Sequence, residues 1–196
     1  MTARLDAAAL DQLFLSARSH NGWKTDALPE SLLRELYELA RMGPTAANTN
    51  PARFVFVTSA EAKERLASVS SGSNQAKIKD APATVIIGYD LDFPEHMDVL
   101  FPHVPGMKNV FSDPAVTEQT AFRNASLQGA YFILAARALG LDTGPMSGFD
   151  NGKVDALFFA GTKIKSNFIC SIGHGNGENM FDRLPRLSFE EACKVV

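Results

Sequence analysis

The sequence predicts one domain of mixed helix and strand, α+β or α/β, with three to five strands. Three observations lead there. Apolar residues recur at helical spacing in residues 7–17, 29–42 and 117–140. Short β-branched and aromatic runs stand between them at 53–59, 83–90 and 166–175. No linker, internal repeat or low-complexity tract divides the 196 residues, so one domain spans 1–196.

Each element has its own reason. Leu10, Leu13, Phe14 and Ala17 make a first helix over 7–17, which ends before Gly22. Pro29 suits the first turn of a second helix, where its missing N–H leaves nothing unpaired, and Gly43-Pro44 ends that helix. "RFVFVTS" alternates as a strand, and Ser59 caps the helix that follows. Residues 70–82 form a loop or short helix. "ATVIIGYD" is apolar without interruption, which predicts a strand covered on both faces. Residues 91–116 hold four prolines and aromatics with no sustained period, an excursion of the kind that forms a lid. Residues 117–140 are apolar on more than one face, with Arg123 and Arg137 the only charges between Phe122 and Leu139, so this helix is buried in a core or between subunits. "LDTGPMSGFD" reads as a turn-rich link, 151–159 as a short helix, 166–175 as a third strand and 188–195 as a final helix.

Composition narrows the function. A net charge of −3 gives no footprint for nucleic acid or an anionic membrane, and no apolar run reaches membrane-spanning length. The first apolar run is interrupted by Asp6 and Asp11 and makes a poor signal peptide. Cys170 and Cys193 form no CxxC pair, which suits a reducing cytoplasm. His20, His96, His103 and His174 form no HExxH or i, i+4 pair, so no metal site is expected. The only glycine-rich run, "GHGNG" at 173–177, follows the last strand and leads into loop, at the wrong place for a dinucleotide fold. Cys170, inside a strand, reads as a small core residue.

What remains is basic and amide chemistry. Arg18 and His20 end the first helix and Arg183 lies near the other terminus; singly each is a solvated charge, together they form an anion clamp. Arg123 sits in the apolar helix, so its charge calls for a partner, either a structural carboxylate or a substrate carboxylate. His103 is an ordinary lid residue or a substrate contact. "PTAANTN", between the second helix and the first strand, is either a turn or a surface where a flat polar ligand approaches closely.

"ARSHNGW", "GPTAANTNPARFVFV", "ALGLDTGPMSGFD" and "DRLPR", in that order and over nearly the whole chain, resemble the FMN-dependent nitroreductase family. "TAFRNASLQGAYFILAARALGLDTGPMSGFD" and "RLPRLSF" resemble its HadB/RutE branch, which includes malonic semialdehyde reductase. The resemblance implies an α+β homodimer with a central, mainly antiparallel sheet flanked by helices. It implies FMN at the dimer interface and ping-pong hydride transfer from NADH or NADPH to a small-molecule substrate. Carried over by position, Arg18, Ser19, His20 and Arg183 hold the FMN phosphate. Thr45, Asn48 and Asn50 reach the flavin from the partner, and Asn74 and Lys77 meet the pyrimidine edge of the ring. Pro145, Met146, Ser147 and Gly148 lie near N5, with the chemistry carried by the flavin. Arg123 and His103 are the substrate candidates.

Three residues depart from the family pattern. Ser147 stands where an acid is common, and Gly22 and Phe181 stand where basic residues are common, which throws the phosphate grip onto Arg18 and Arg183. The leading expectation is reduction of malonic semialdehyde to 3-hydroxypropionate. The alternatives are a broad nitroaromatic or quinone reductase and a flavin-binding module without turnover.

Overall fold

A computed structural model describes residues 3–196. In chain order the elements are α1 (Ala7–Leu10), a π-helical turn (Asp11–Leu15), α2 (Glu30–Ala40), a 3₁₀ turn (Ala46–Asn48), β1 (Ala52–Val57), α3 (Ala60–Ser68), α4 (Gly72–Asp80), β2 (Ala83–Asp90), α5 (Met97–Leu100) between 3₁₀ turns at Phe93–His96 and Met107–Phe111, α6 (Pro114–Ala138), β3 (Asp142–Met146), α7 (Asn151–Phe158), β4 (Ile164–Gly173) and α8 (Phe189–Ala192). The four strands pair antiparallel throughout in the order β1-β2-β4-β3, which resolves the class as α+β.

Position in the sheet explains the composition of each strand. β2 is central and every residue in it is buried. Val85 and Ile87 face a core with Leu36 and Ala40 of α2 and Phe132 and Ala136 of α6. Ile86 faces the opposite core with Leu66 of α3, Ile78 of α4 and Val154 of α7. Helices cover both faces, so an unbroken apolar run is what the strand requires. Each large side chain buried there contributes roughly 1.5–3 kcal/mol. β3 is an edge strand, and the sequence reading of "LDTGPMSGFD" as a link missed it. An edge tolerates Pro145, whose absent N–H no neighbour requires, and pairing with β4 supplies the order that the local pattern lacks.

Helix boundaries follow caps. Ser59 accepts from Ala62 N–H, as expected. Asp113 accepts from Ala115 N–H with Pro114 in the first turn, so α6 starts earlier than its apolar period suggests. Pro29 is the cap itself, with extended backbone, rather than a member of the first turn. The predicted first helix is a single α turn followed by a π turn. Residues 91–116 fold into short turns around their own core of Phe93 and Met97, closed by Tyr89 and Ala121. Among the described residues, no helix is long and apolar enough to cross a membrane.

Candidate functional site

A cationic cavity lies along the outer edge of β3. Residues 18–23 run beside that strand: Ser19 bridges Thr143 in parallel, His20 N–H donates to the Thr143 carbonyl at 3.0 Å, and Trp23 bridges Gly175. The Arg18 guanidinium donates to the Phe181 carbonyl, and Arg183 donates back to the carbonyls of Leu15 and, at 3.1 Å, Ala17. These reciprocal bonds strap the two ends of the chain together. The open cavity beside them, of ≈ 370 Å³, is lined by Arg18, Lys77, Arg137, Arg183 and Arg186, with Ser19, Pro145 and one carboxylate, Asp182. Burial holds Arg137 below the usual arginine value, and like-charge repulsion from Arg183 acts in the same direction. Five cations facing one carboxylate make a strong anion site.

This geometry revises the sequence reading in two ways. Arg137 and Arg186 line the same cavity, so Arg18 and Arg183 are not its only guanidinium groups. Arg137 had been visible only as a charge in an apolar helix. His20, expected beside the phosphate, instead turns its imidazole away from the cavity: Nε2 lies 3.2 Å from Asp142 Oδ1, with the side chain 14% exposed. Asp142 Oδ2 accepts from Gly175 N–H at 2.8 Å, so one carboxylate ties 18–20 to the loop after β4. Close backbone approach at Gly175 makes this possible, since a Cβ there would lie 1.8 Å from His20 Nδ1.

Next to the cavity, Asn74 of α4 donates to the Gly148 carbonyl at 3.1 Å, and Ser71 N–H donates to the same carbonyl at 2.8 Å. A Cβ on Gly148 would meet Asn74 Nδ2 at 2.8 Å, so glycine lets the 145–148 segment lie flush on α4, where Lys77 follows one turn later.

The polar loop lies at the opposite edge of the sheet, ahead of β1. Ala47, Asn48 and Asn50 all have left-handed backbone, with φ of 47°, 53° and 42°. Such a conformation costs about 1–2 kcal/mol for each L-residue. Hydrogen bonds hold it in place. Ala46 N–H donates to Asn124 Oδ1 at 2.8 Å, Ala52 N–H to Gln128 Oε1 at 2.9 Å, and Asn48 Nδ2 to the Leu100 carbonyl at 2.9 Å. Arg53 bonds the Asn50 carbonyl at 3.1 Å and pairs with Asp90 at 2.7 Å. Asn48, Asn50, Arg53 and Gln128 line a cavity of ≈ 330 Å³. The sequence reading missed Asn124 and Gln128; the signal was two amides at i, i+4 spacing within an apolar helix.

The substrate candidates fall elsewhere. Arg123 is exposed and forms no ion pair among the described residues, so the partner required of a buried charge is not needed. It lies on the outer side of α6 beside exposed Phe122, Leu127 and Tyr131. His103 is also exposed and packs on Phe101 with ring centroids 3.9 Å apart. Burial pushes the Cys170 thiol up to about 12, so it is not a nucleophile near neutrality.

The nitroreductase family model matches residues 15–174. The chain belongs to the nitroreductase family. A relative from Caulobacter vibrioides, described as an NADH dehydrogenase/NAD(P)H nitroreductase, is 68% identical over 99% of this chain and 100% of its own length. Among solved structures, the Bacillus subtilis nitroreductase ydfN superposes with a TM-score of 0.86 at 22% identity, over 97% of this chain and 100% of its own. An Exiguobacterium sibiricum nitroreductase in complex with FMN gives 0.84 at 17%, covering all of both chains. These nitroreductase structures share the fold of this chain.

Proposed function

We propose that this nitroreductase-family protein is an FMN-dependent NAD(P)H oxidoreductase that works as a homodimer. The cavity joining Arg18, Lys77, Arg137, Arg183 and Arg186 carries this reading, because a phosphate monoester needs that density of fixed donors and a neutral ligand does not. The residues present fit the cofactor: guanidinium groups for its phosphate, the Asn74 amide beside the small Gly148 for its ring, and a polar loop for the ring edge. When bound, FMN supplies the group that takes hydride from NAD(P)H and passes it to an acceptor. The chain's own part is to anchor the anionic tail, to present fixed amides to the ring, and to hold the 145–148 segment flush on α4 beside it. The description of the Caulobacter relative supports the nicotinamide reductant.

Two observations support the dimer. The polar loop and the cationic cavity belong to opposite edges of one sheet, and no residue lines both. The outer side of α6 also leaves Phe122, Leu127 and Tyr131 uncovered, a face that a second copy would bury.

As acceptor we propose a small carbonyl compound, malonic semialdehyde, on the strength of the resemblance in residues 120–150 and 183–189. The relatives' descriptions favour a second reading, reduction of nitroaromatic compounds. Under the first, the partner's copy of α6 presents Arg123 to the substrate carboxylate. Stopped-flow oxidation of the NADH- or NADPH-reduced protein by malonic semialdehyde, a quinone and a nitroaromatic separates them. Arg123→Leu should raise KM for the aldehyde and spare the quinone; equal losses with both would reject Arg123. A purified protein that stays monomeric and colourless with excess FMN would reject the whole proposal.

A further inference from the structure

Two amides are unexpected on the buried side of a long, nearly uncharged helix. Asn124 and Gln128 sit there one turn apart, 2% and 4% exposed, and both turn toward the loop before β1. Their polarity is set by groups that bond in only one sense. Ala52 N–H is a donor, so Gln128 must accept with Oε1, at 2.9 Å, and is left to donate through Nε2 to Asn50 Oδ1, at 3.1 Å. Asn50 therefore spends both hydrogens of Nδ2 inside the loop, on the Asn48 carbonyl at 2.8 Å and Asn48 Oδ1 at 2.7 Å. At the far end the Leu100 carbonyl can only accept, which fixes Asn48 in the same sense. Asn124 is oriented likewise, between Ala46 N–H at 2.8 Å and the Thr120 carbonyl at 2.9 Å. Backbone groups at both ends leave one consistent direction for the chain of bonds.

We infer that Gln128 is a positioning residue that commits Asn50 to meet a bound ligand as a hydrogen-bond acceptor. The inference rests on the proposed flavin site and deepens it. The ligand atom facing Asn50 is then a donor, an imide N–H or a hydroxyl, and not a carbonyl. Asn50 Oδ1 keeps one lone pair for it, while its N–H groups are occupied. A sequence that merely needed a turn would not orient three amides in series from a buried helix.

Gln128→Glu tests the direction of the bonds and Gln128→Leu their existence. As a neutral acid, Glu at 128 accepts from Ala52 N–H and donates to Asn50, as glutamine does. As a carboxylate it has no hydrogen to give and opposes Asn50 Oδ1. The charged groups lining the same cavity are Arg53, paired with Asp90, and Arg41, paired with Glu38; Tyr37 lines it as well. The two cations favour the carboxylate and burial favours the acid. Hydrogen–deuterium exchange of peptides covering 45–52 is measured on the flavin-free protein at about pH 5.5 and about pH 8.5, on either side of a partly buried carboxyl's titration, each value referred to wild type at the same pH. Gln128→Glu should exchange within about twofold of wild type at the lower pH and about tenfold faster at the higher, the loss of one buried hydrogen bond; Gln128→Leu should be fast at both. FMN affinity, titrated on the same variants, should follow the same split.

A Gln128→Glu profile parallel to wild type, or equal to Gln128→Leu at both pH values, overturns the directed relay. Loop exchange that splits with pH while FMN affinity does not overturns the role of Asn50 toward the ligand. A wild-type protein that never binds FMN defeats the proposed function instead, and the exchange measurement, made without flavin, still reads the relay.

Discussion

Replacing Gly175 with alanine exchanges one hydrogen for a methyl group at the most crowded glycine among the described residues. The new Cβ would stand 1.8 Å from His20 Nδ1, 2.4 Å from Cε1 and 2.8 Å from Cγ, all far inside van der Waals contact. The imidazole cannot slide aside, because it packs against Trp23 with ring centroids 6.2 Å apart and is held 3.2 Å from Asp142. It must leave its site. Overpacking of this kind costs about 1–3 kcal/mol. In a domain of this size that lowers Tm by about 2–12 °C. Differential scanning calorimetry of Gly175→Ala measures this directly. The mechanism has a sharper signature in the double variant. With His20 also cut to alanine the clash disappears, so Gly175→Ala/His20→Ala should melt above Gly175→Ala alone. FMN affinity should fall in Gly175→Ala, since the displaced segment carries Arg18 and Ser19. An unchanged Tm, or a double variant no better than the single, would refute the claim that His20 fills the space above this glycine.

Arg137→Leu should weaken FMN about 10–150-fold, the range for a hydrogen bond to a charged group, while riboflavin, which lacks the phosphate, binds as before in a fluorescence titration. With DTNB near pH 8, exposed Cys193 should react at once and Cys170 only after unfolding. Because burial raises the Cys170 thiol from 9.0 to about 12, the folded state favours the neutral form. Its contribution is complete below about pH 9 and is lost as pH rises toward about 12, an alkaline limb that Cys170→Ala should remove from a plot of Tm against pH. Phe132→Ala, which empties a site between α6 and the sheet, should cost about 3–5 kcal/mol in urea unfolding.

The parts of the fold that were legible in the sequence are those where local pattern and tertiary position agree. β2 shows its burial on both faces in "ATVIIGY", and Ser59 announces the helix that it caps. β3 was hidden because Gly144 and Pro145 are breakers in isolation, and only pairing to β4, Pro145 opposite Cys170, makes them a strand. In the candidate site, charge type was readable but direction was not. Arg18 and Arg183 each donate to backbone carbonyls of the other's segment. The imidazole of His20 turns to Asp142, and Arg137 lines the cavity from a helix read as core. The apolar neighbours of Arg123 imply burial, yet Phe122, Leu127 and Tyr131 are themselves exposed. Periodicity reports how apolar a face is, not what covers it.

The strap between Arg18 and Phe181, and between Arg183 and Leu15, joins residues 163 and 168 positions apart. Neither bond exists until almost the entire chain has emerged from the ribosome. The sheet and its two cores use residues up to 173, so the cationic end is finished last. Chains truncated between residues 174 and 180 should therefore carry a folded sheet that does not retain flavin, whereas the full length retains it.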